Sequence, residues 1–246
     1  MLMQPALKSM LSNILFKLPG NAVLLRGYYA ARYGNIQRIF ESKYKRNAWG
    51  DAESVSGAGS TLKFTENLRA ALPELIGRYS VASFLDAPCG DYNWFRHVKR
   101  EPPFSYTGAD IVPELVNKNN DLYGEAATRF IQLDITKDPI PQVDLWMCRE
   151  CLFHLSNRDI FRVLANLLRS DVHLFLTTTH FECETNTDIA TGSFRPLNLE
   201  IEPFNLGPPV AEIDDWVEGR LKRKLALWKT RDLAAALANN KFLRKP

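Results

Sequence analysis

The chain has 246 residues, 46% of them hydrophobic and 11% aromatic, which excludes wholesale disorder and suits one large domain or a domain with appendages. A formal net charge of +3 is too small to point to nucleic acid as a partner. The basic clusters at Lys43, Lys45 and Arg46, and at Arg220, Lys222, Arg223 and Lys224, are short and read as solvated faces.

At the N-terminus, Leu7, Met10, Leu11, Ile14, Leu15 and Leu18 follow helical spacing, with Lys8, Ser9, Ser12, Asn13 and Lys17 on the other face. Such a helix docks on the domain or a partner, or lies on a membrane surface. Charge interrupts the run well before the roughly 20 apolar residues of a membrane span. No small-residue cleavage site follows, so the chain reads as cytoplasmic rather than secreted. Residues 1–79 form a mostly helical extension broken by the glycine-rich stretch WGDAESVSGAGS at 49–60, and residues 80–246 form the main domain.

From residue 80 short apolar runs alternate with helical patterns. Strands are expected at 81–86, 104–110, 127–134, 143–148 and 171–179, with a late one at 222–228. Helices are expected from Asn93 to Lys99, Pro113 to Tyr123 and Asn157 to Leu168, the last capped by Ser156 or Asn157. The region 180–216, rich in proline and asparagine, reads as a long excursion. The alternation predicts a Rossmann-like, doubly wound α/β domain with a mostly parallel sheet and helices on both faces.

In such sheets ligands bind beyond the carboxyl ends of the strands. The first three predicted strands close on Asp86, Asp110 and Asp134, and three carboxylates in series converge on one crevice. An aspartate after the second strand suits the hydroxyls of a ribose, one after the third an exocyclic amine of adenine, and Asp86 or Asp91 a cationic amino group. Gly90 brings the backbone close to a ligand or takes a positive φ. Pyrophosphate would need G-x-G-x-x-G, but Ala87, Cys89 and Tyr92 stand at those positions and Asp91 would repel phosphate. A dinucleotide-dependent oxidoreductase is therefore disfavoured. Tyr92 and Trp94 either wall the cofactor or pack the first helix. The spacing of Cys148, Cys151, His154, His180 and Cys183 suggests zinc, but the first pair ends an apolar strand, which favours buried reduced thiols and no metal.

Taken together, LDAPCGD, GAD, QLDI and MCRECLFHLSN resemble the class I S-adenosylmethionine-dependent methyltransferases over about residues 80–180. The wider set NAWGDAESVSGAGS, LDAPCGDYNW and TNTDIATGSFRPLNL resembles a bacterial branch of that superfamily. The resemblance implies S-adenosyl-L-methionine as cofactor. It maps Asp86, Cys89 and Gly90 to the methionine end, Asp110 to the ribose, and Asp134 with Ile135 to the adenine. Asp91, Ile111 and Arg149 complete the implied contacts. The second glycine usual in the family's first motif is replaced around Asp91 and Tyr92.

Methyl transfer is an in-line displacement that gains from orientation and, for a hydroxyl acceptor, from a base. His180, His154 and Glu150 are the candidates. Trp49, Ser54, Ser56, Gly57, Gly59 and Ser60 form a candidate flap, in which Trp49, Ser56 and Ser60 would touch substrate. Asn186, Thr191, Arg195 and Asn198 offer donors to a polar or anionic acceptor, Asn186 and Arg195 foremost. The expected acceptor is a small molecule or glycan-like. The alternative is a non-catalytic binding module of the same fold. A nucleic-acid methyltransferase is disfavoured because Arg149-Glu150-Cys151-Leu152 stands where such enzymes carry D/N-P-P-[YF].

Overall fold

The computed structural model describes residues 27, 34–238 and 240, so the expected helix over residues 7–18 lies outside the described residues. Seven strands make one sheet: β1 Ser83–Asp86, β2 Ser105–Asp110, β3 Thr128–Gln132, β4 Leu145–Cys148, β5 Leu174–Thr179, β6 Ala211–Asp214 and β7 Lys224–Lys229. Their spatial order is β3-β2-β1-β4-β5-β7-β6. The first five run parallel, and β7 is antiparallel to both β5 and β6. Within residues 34–238 the helices are α1 Ile36–Lys45, α2 Glu66–Arg78, α3 Pro113–Tyr123, α4 Asn157–Leu168 and α5 Thr230–Leu237. This is the expected α/β class.

Strand alternation divides the core into two layers. Phe84, Tyr106, Leu145, Met147, Leu176 and Leu227 face one side, where α2 brings Leu68, Leu72, Leu75 and Ile76. Leu85, Ala109, Trp146, Phe175 and Trp228 face the other, under Ile160, Val163, Leu164 and Leu167 of α4 and Leu233 of α5. Near-continuous apolar runs are what a parallel sheet covered on both faces requires. Helix α4 starts where Ser156 Oγ accepts the Asp159 N–H at 3.2 Å, and α3 starts on Pro113, whose fixed φ suits a first turn.

Three expectations are corrected. Between β1 and β2 a 3-10 turn at Phe95–His97 replaces the helix from Asn93 to Lys99. Tyr92, Trp94 and Phe95 are all buried, and a helix would turn residues 92 and 94 to opposite sides. The stretch 180–216 ends in β6, a strand with the burial of an edge, which left no apolar alternation to read. Before β6 the chain is irregular yet packed, with Leu197, Leu199, Phe204 and Leu206 buried in the α4 layer. Arg223 is no solvated cation either, its side chain being 12% exposed.

Helix α2 packs on β6 and buries Leu72 completely. Leu72→Ala is expected to lower unfolding stability by about 2–5 kcal/mol in urea titrations, through lost transfer energy and a residual cavity. A loss below about 1 kcal/mol would show α2 to be a peripheral attachment.

Candidate functional site

After β1 the chain builds β2 and β3 on one side, then returns to place β4 on the other. A crevice opens at that reversal, beyond the carboxyl ends of the strands. It is a cavity of about 1140 Å³, counting the part open to solvent. Its floor comes from Asp86 and the Pro88–Gly90 turn after β1, Asp110 to Val112 after β2, Leu133 to Thr136 after β3, and Arg149 to Cys151 after β4. Its roof comes from Ile36, Phe40 and Tyr44 on α1 and from Trp49, Val55, Ser56 and Ser60. Sequence reasoning located the floor and part of the roof. It expected a mostly helical stretch here but did not assign α1 to the cavity, although apolar positions 36, 40 and 44 share one helical face.

The three strand-end carboxylates do meet in this cavity, but their surroundings differ. Asp86 is buried and takes one hydrogen bond, from Tyr106 Oη at 2.8 Å. Burial pushes its carboxyl up to about 8, outweighing the Tyr106 bond and the charge of Arg149. Asp110 accepts the Val112 N–H at 3.0 Å and the Gly90 N–H at 3.3 Å. Burial lifts it to about 6 against those amides. Asp134 closes its own turn, accepting from Thr136 Oγ1 at 2.6 Å and Thr136 N–H at 3.0 Å. Gly90 has φ of 56°, and its carbonyl accepts from Asn119 Nδ2 at 2.8 Å. Asn119, on α3, thus braces the turn, and its buried polar position inside an amphipathic helix was the overlooked signal.

Beyond β4, four charges interlock. Arg149 grips Asp215 in two bonds, Nε to Oδ2 at 3.0 Å and Nη2 to Oδ1 at 2.7 Å. Arg149 Nη2 also donates to the Gly59 carbonyl at 2.8 Å, and the guanidinium lies 5.2 Å from the Trp94 ring centre. Against the pull of burial, Asp215 and then Glu150 raise its pKa further. Glu150 Oε1 receives both Arg149 and Arg223, so this oxygen is committed to two guanidiniums and the side chain is better suited to positioning than to proton transfer. Glu150 holds φ of 52°, a strained setting for a residue with a Cβ, in the cavity wall.

The two histidines part company. His154 lines the cavity. Its Nδ1 lies 2.7 Å from the Ser193 carbonyl, so Nδ1 carries the proton and Nε2 the lone pair. Burial holds its pKa down to about 4, so the ring is neutral at physiological pH. His180 lies off the cavity, its Nδ1 accepting from the Leu197 N–H at 3.2 Å. Its Nε2 is buried without a partner among the described residues.

Asn186 and Arg195, expected to touch substrate, do not line the cavity. Asn186 donates to the Asn198 and Glu202 carbonyls, and Arg195 to the Phe153 and Leu155 carbonyls and Asn157. Asn186 thus ties the 180–210 stretch to itself, and Arg195 ties it to the 153–157 turn through Nη1 and Nη2, while its Nε is buried without a partner among the described residues. Asp91 likewise does not line the cavity. Ile111, Ile135, Cys89, Trp49, Ser56 and Ser60 do. Trp94 lines it as well, whereas Tyr92 packs into the core. No group of three or more His, Cys, Asp or Glu is placed to hold a metal among the described residues.

Comparison with known proteins accords with this geometry. Residues 84–170 match a family described as a methyltransferase domain. The fold is similar to the 1,6-didemethyltoxoflavin-N1-methyltransferase of Burkholderia thailandensis, at 16% identity and a TM-score of 0.53, over 83% of this chain and 89% of that one. It is similar to the magnesium protoporphyrin IX methyltransferase of Synechocystis, at 10% identity and a TM-score of 0.52, over 83% and 97%. The N-methyltransferase NodS of Bradyrhizobium japonicum aligns at 13% identity and a TM-score of 0.50, over 68% and 96%. No curated protein matches the sequence.

The raised Asp86 carboxyl sets a pH dependence. In the unfolded chain it ionises near about 4, and in the folded chain near about 8. Between these values the unfolded chain binds fewer protons, so stability falls as pH rises. His154 and His180, both held to about 4, oppose this only below about 6.5. The melting temperature of the ligand-free protein is therefore expected to fall from pH 6.5 to 8, and Asp86→Asn to flatten that decline. A wild-type profile flat across this window would contradict the assignment.

Proposed function

We infer the acceptor and the working residues from one premise, that this chain is a class I S-adenosylmethionine-dependent methyltransferase. When bound, the cofactor supplies a methyl group made electrophilic by its sulfonium charge. The residues present suit it. Asp86 is a buried carboxyl, protonated at neutral pH in the ligand-free protein, whose neighbouring guanidinium, Arg149, is already gripped by Asp215; a cation seated beside it favours its ionised form and is held by it. In our reading Asp110 takes the ribose, Asp134 and Ile135 the adenine, and Asp86, Cys89 and Gly90 the methionine end. The convergence of three carboxylates from three separate strands on one cavity carries this reading.

The acceptor occupies the other end. There the walls are Ile36, Phe40, Tyr44, Trp49, Val55 and Leu155, apolar and aromatic apart from the Tyr44 hydroxyl. They favour a small molecule with an apolar ring over a heavily hydroxylated glycan. His154, neutral and anchored through Nδ1, presents Nε2 to take the proton of an acceptor hydroxyl or amine. The roof residues hold that acceptor in line and exclude water, and orientation of this kind contributes several kcal/mol. Arg149 and Glu150 hold the β4 end in place.

Calorimetry with S-adenosylhomocysteine tests the cofactor half. Asp110→Ala is expected to weaken binding about tenfold to hundredfold, the worth of a charged hydrogen bond. Absence of binding by the wild type, or full binding by the variant, refutes it. A screen with labelled methyl donor then identifies an acceptor. On that acceptor His154→Gln should lower turnover by about 10²–10⁴ with S-adenosylhomocysteine affinity unchanged. Equal turnover would remove His154 as the base.

A further inference from the structure

Asp91 sits in the turn after β1, between Gly90 and Tyr92, yet its carboxylate does not line the cavity. It faces the roof segment instead. Oδ1 accepts from Ser54 Oγ at 3.0 Å and Ser56 Oγ at 3.3 Å, and Oδ2 accepts the Val55 N–H at 2.9 Å. The Asp91 N–H returns a bond to Ser56 Oγ at 3.2 Å. One carboxylate thus collects three donors from a segment more than thirty positions earlier in the chain. A lesser tie runs beside it, where Asn93 Nδ2 donates to Glu53 Oε1 at 2.7 Å and to the Ser60 carbonyl at 3.0 Å.

The fit at this junction is close. A Cβ on Gly90 would stand 2.1 Å from Ser56 Oγ, so glycine at 90 serves the approach of the roof as well as its own φ. Val55, Ser56 and Ser60 line the cavity directly. Gly50 and Gly57, at φ of 65° and 95°, give the segment backbone freedom that other residues lack.

We propose that Asp91 is a latch, a positioning residue that holds residues 53–60 closed over the cavity from the turn that seats the cofactor. This rests on the cavity being the cofactor site. With the latch closed, the roof keeps water from the acceptor end and a bound sulfur nucleoside cannot leave. Opening breaks the carboxylate's three bonds together, so the latch sets the rate of release. The competing role is direct contact with the cationic amino group of the cofactor.

Two ligands separate these roles. S-adenosylhomocysteine carries the amino acid group and 5′-methylthioadenosine lacks it. Their dissociation is followed by stopped-flow fluorescence of Trp49 and Trp94, which line the cavity. Asp91→Ala is expected to speed the release of both ligands by the same factor, tenfold or more. Asp91→Asn, which keeps one carbonyl acceptor, should fall between, as should Ser54→Ala, which leaves the turn intact. An effect confined to S-adenosylhomocysteine, or none on either ligand, overturns the latch. Hydrogen exchange without ligand supplies the independent arm. Asp91→Ala should accelerate exchange in residues 53–60 while 83–86 and 105–110 stay protected, and unchanged exchange in 53–60 also overturns it. This arm reads the latch even if the wild type binds neither nucleoside, a result that would instead count against the cofactor reading.

Discussion

The site is organised by a buried ion pair beyond the end of β4. Arg149 and Asp215 meet in a two-bond grip with side chains 3% and 0% exposed. A guanidinium this deep is tolerable only when it is paired and hydrogen-bonded, and Asp215, the Gly59 carbonyl and Glu150 receive its Nε and Nη2 donors. Two parts of the chain are thereby tied to the end of β4: the roof segment through Gly59, and the β6–β7 connection through Asp215 and, by way of Glu150, Arg223. The pair also keeps Arg149 from bonding Asp86, whose carboxyl burial holds protonated at neutral pH and free to ionise beside a cation.

That division of charge gives the cavity two dissimilar ends. At one, Asp86 and Asp110 are held above the usual carboxylate range by burial. At the other, the wall is aromatic and aliphatic and its imidazole is uncharged. A positive ligand gains at the first end and would lose at the second, so the cavity orients its contents before any reaction begins. His154 owes its neutrality to the same burial that raises Asp86, because desolvation disfavours whichever form is charged.

Much of this was legible in the sequence, and the reasons are local. Helices α3 and α4 announced themselves through Pro113, Ser156 and 3.6-residue periodicity, and β1 to β5 through apolar runs closed by polar residues. Asp86, Asp110 and Asp134 were legible because strand ends in an alternating α/β pattern share one edge. The missed features depend on distant pairing. Asp215 and Arg223 stand in a polar stretch, and only the antiparallel return of β7 brings them to β4. Arg195 looked like an anion receptor because its carbonyl partners, at Phe153 and Leu155, are forty residues away. His180 follows its strand as expected, but irregular chain from 190 to 199 covers it.

The turn after β1 shows how a departure from a common motif is accommodated. Position 92 needs φ near 58°, where glycine costs least, and tyrosine stands there. The strain, of order 1 kcal/mol or more, is offset by what the side chain reaches. The ring lies 4.8 Å from Tyr106, 5.1 Å from Phe130 and 5.5 Å from Tyr123, and Arg100 donates to its hydroxyl at 3.0 Å. Burial of an aromatic ring in such a cluster is worth more than the backbone penalty. Tyr106, one wall of that cluster, is also the hydrogen-bond donor to Asp86. Tyr92 therefore packs against the ring whose hydroxyl bonds the carboxylate at the cavity's inner end. Glycine at 92 would spare the strain and leave Tyr106 without that support.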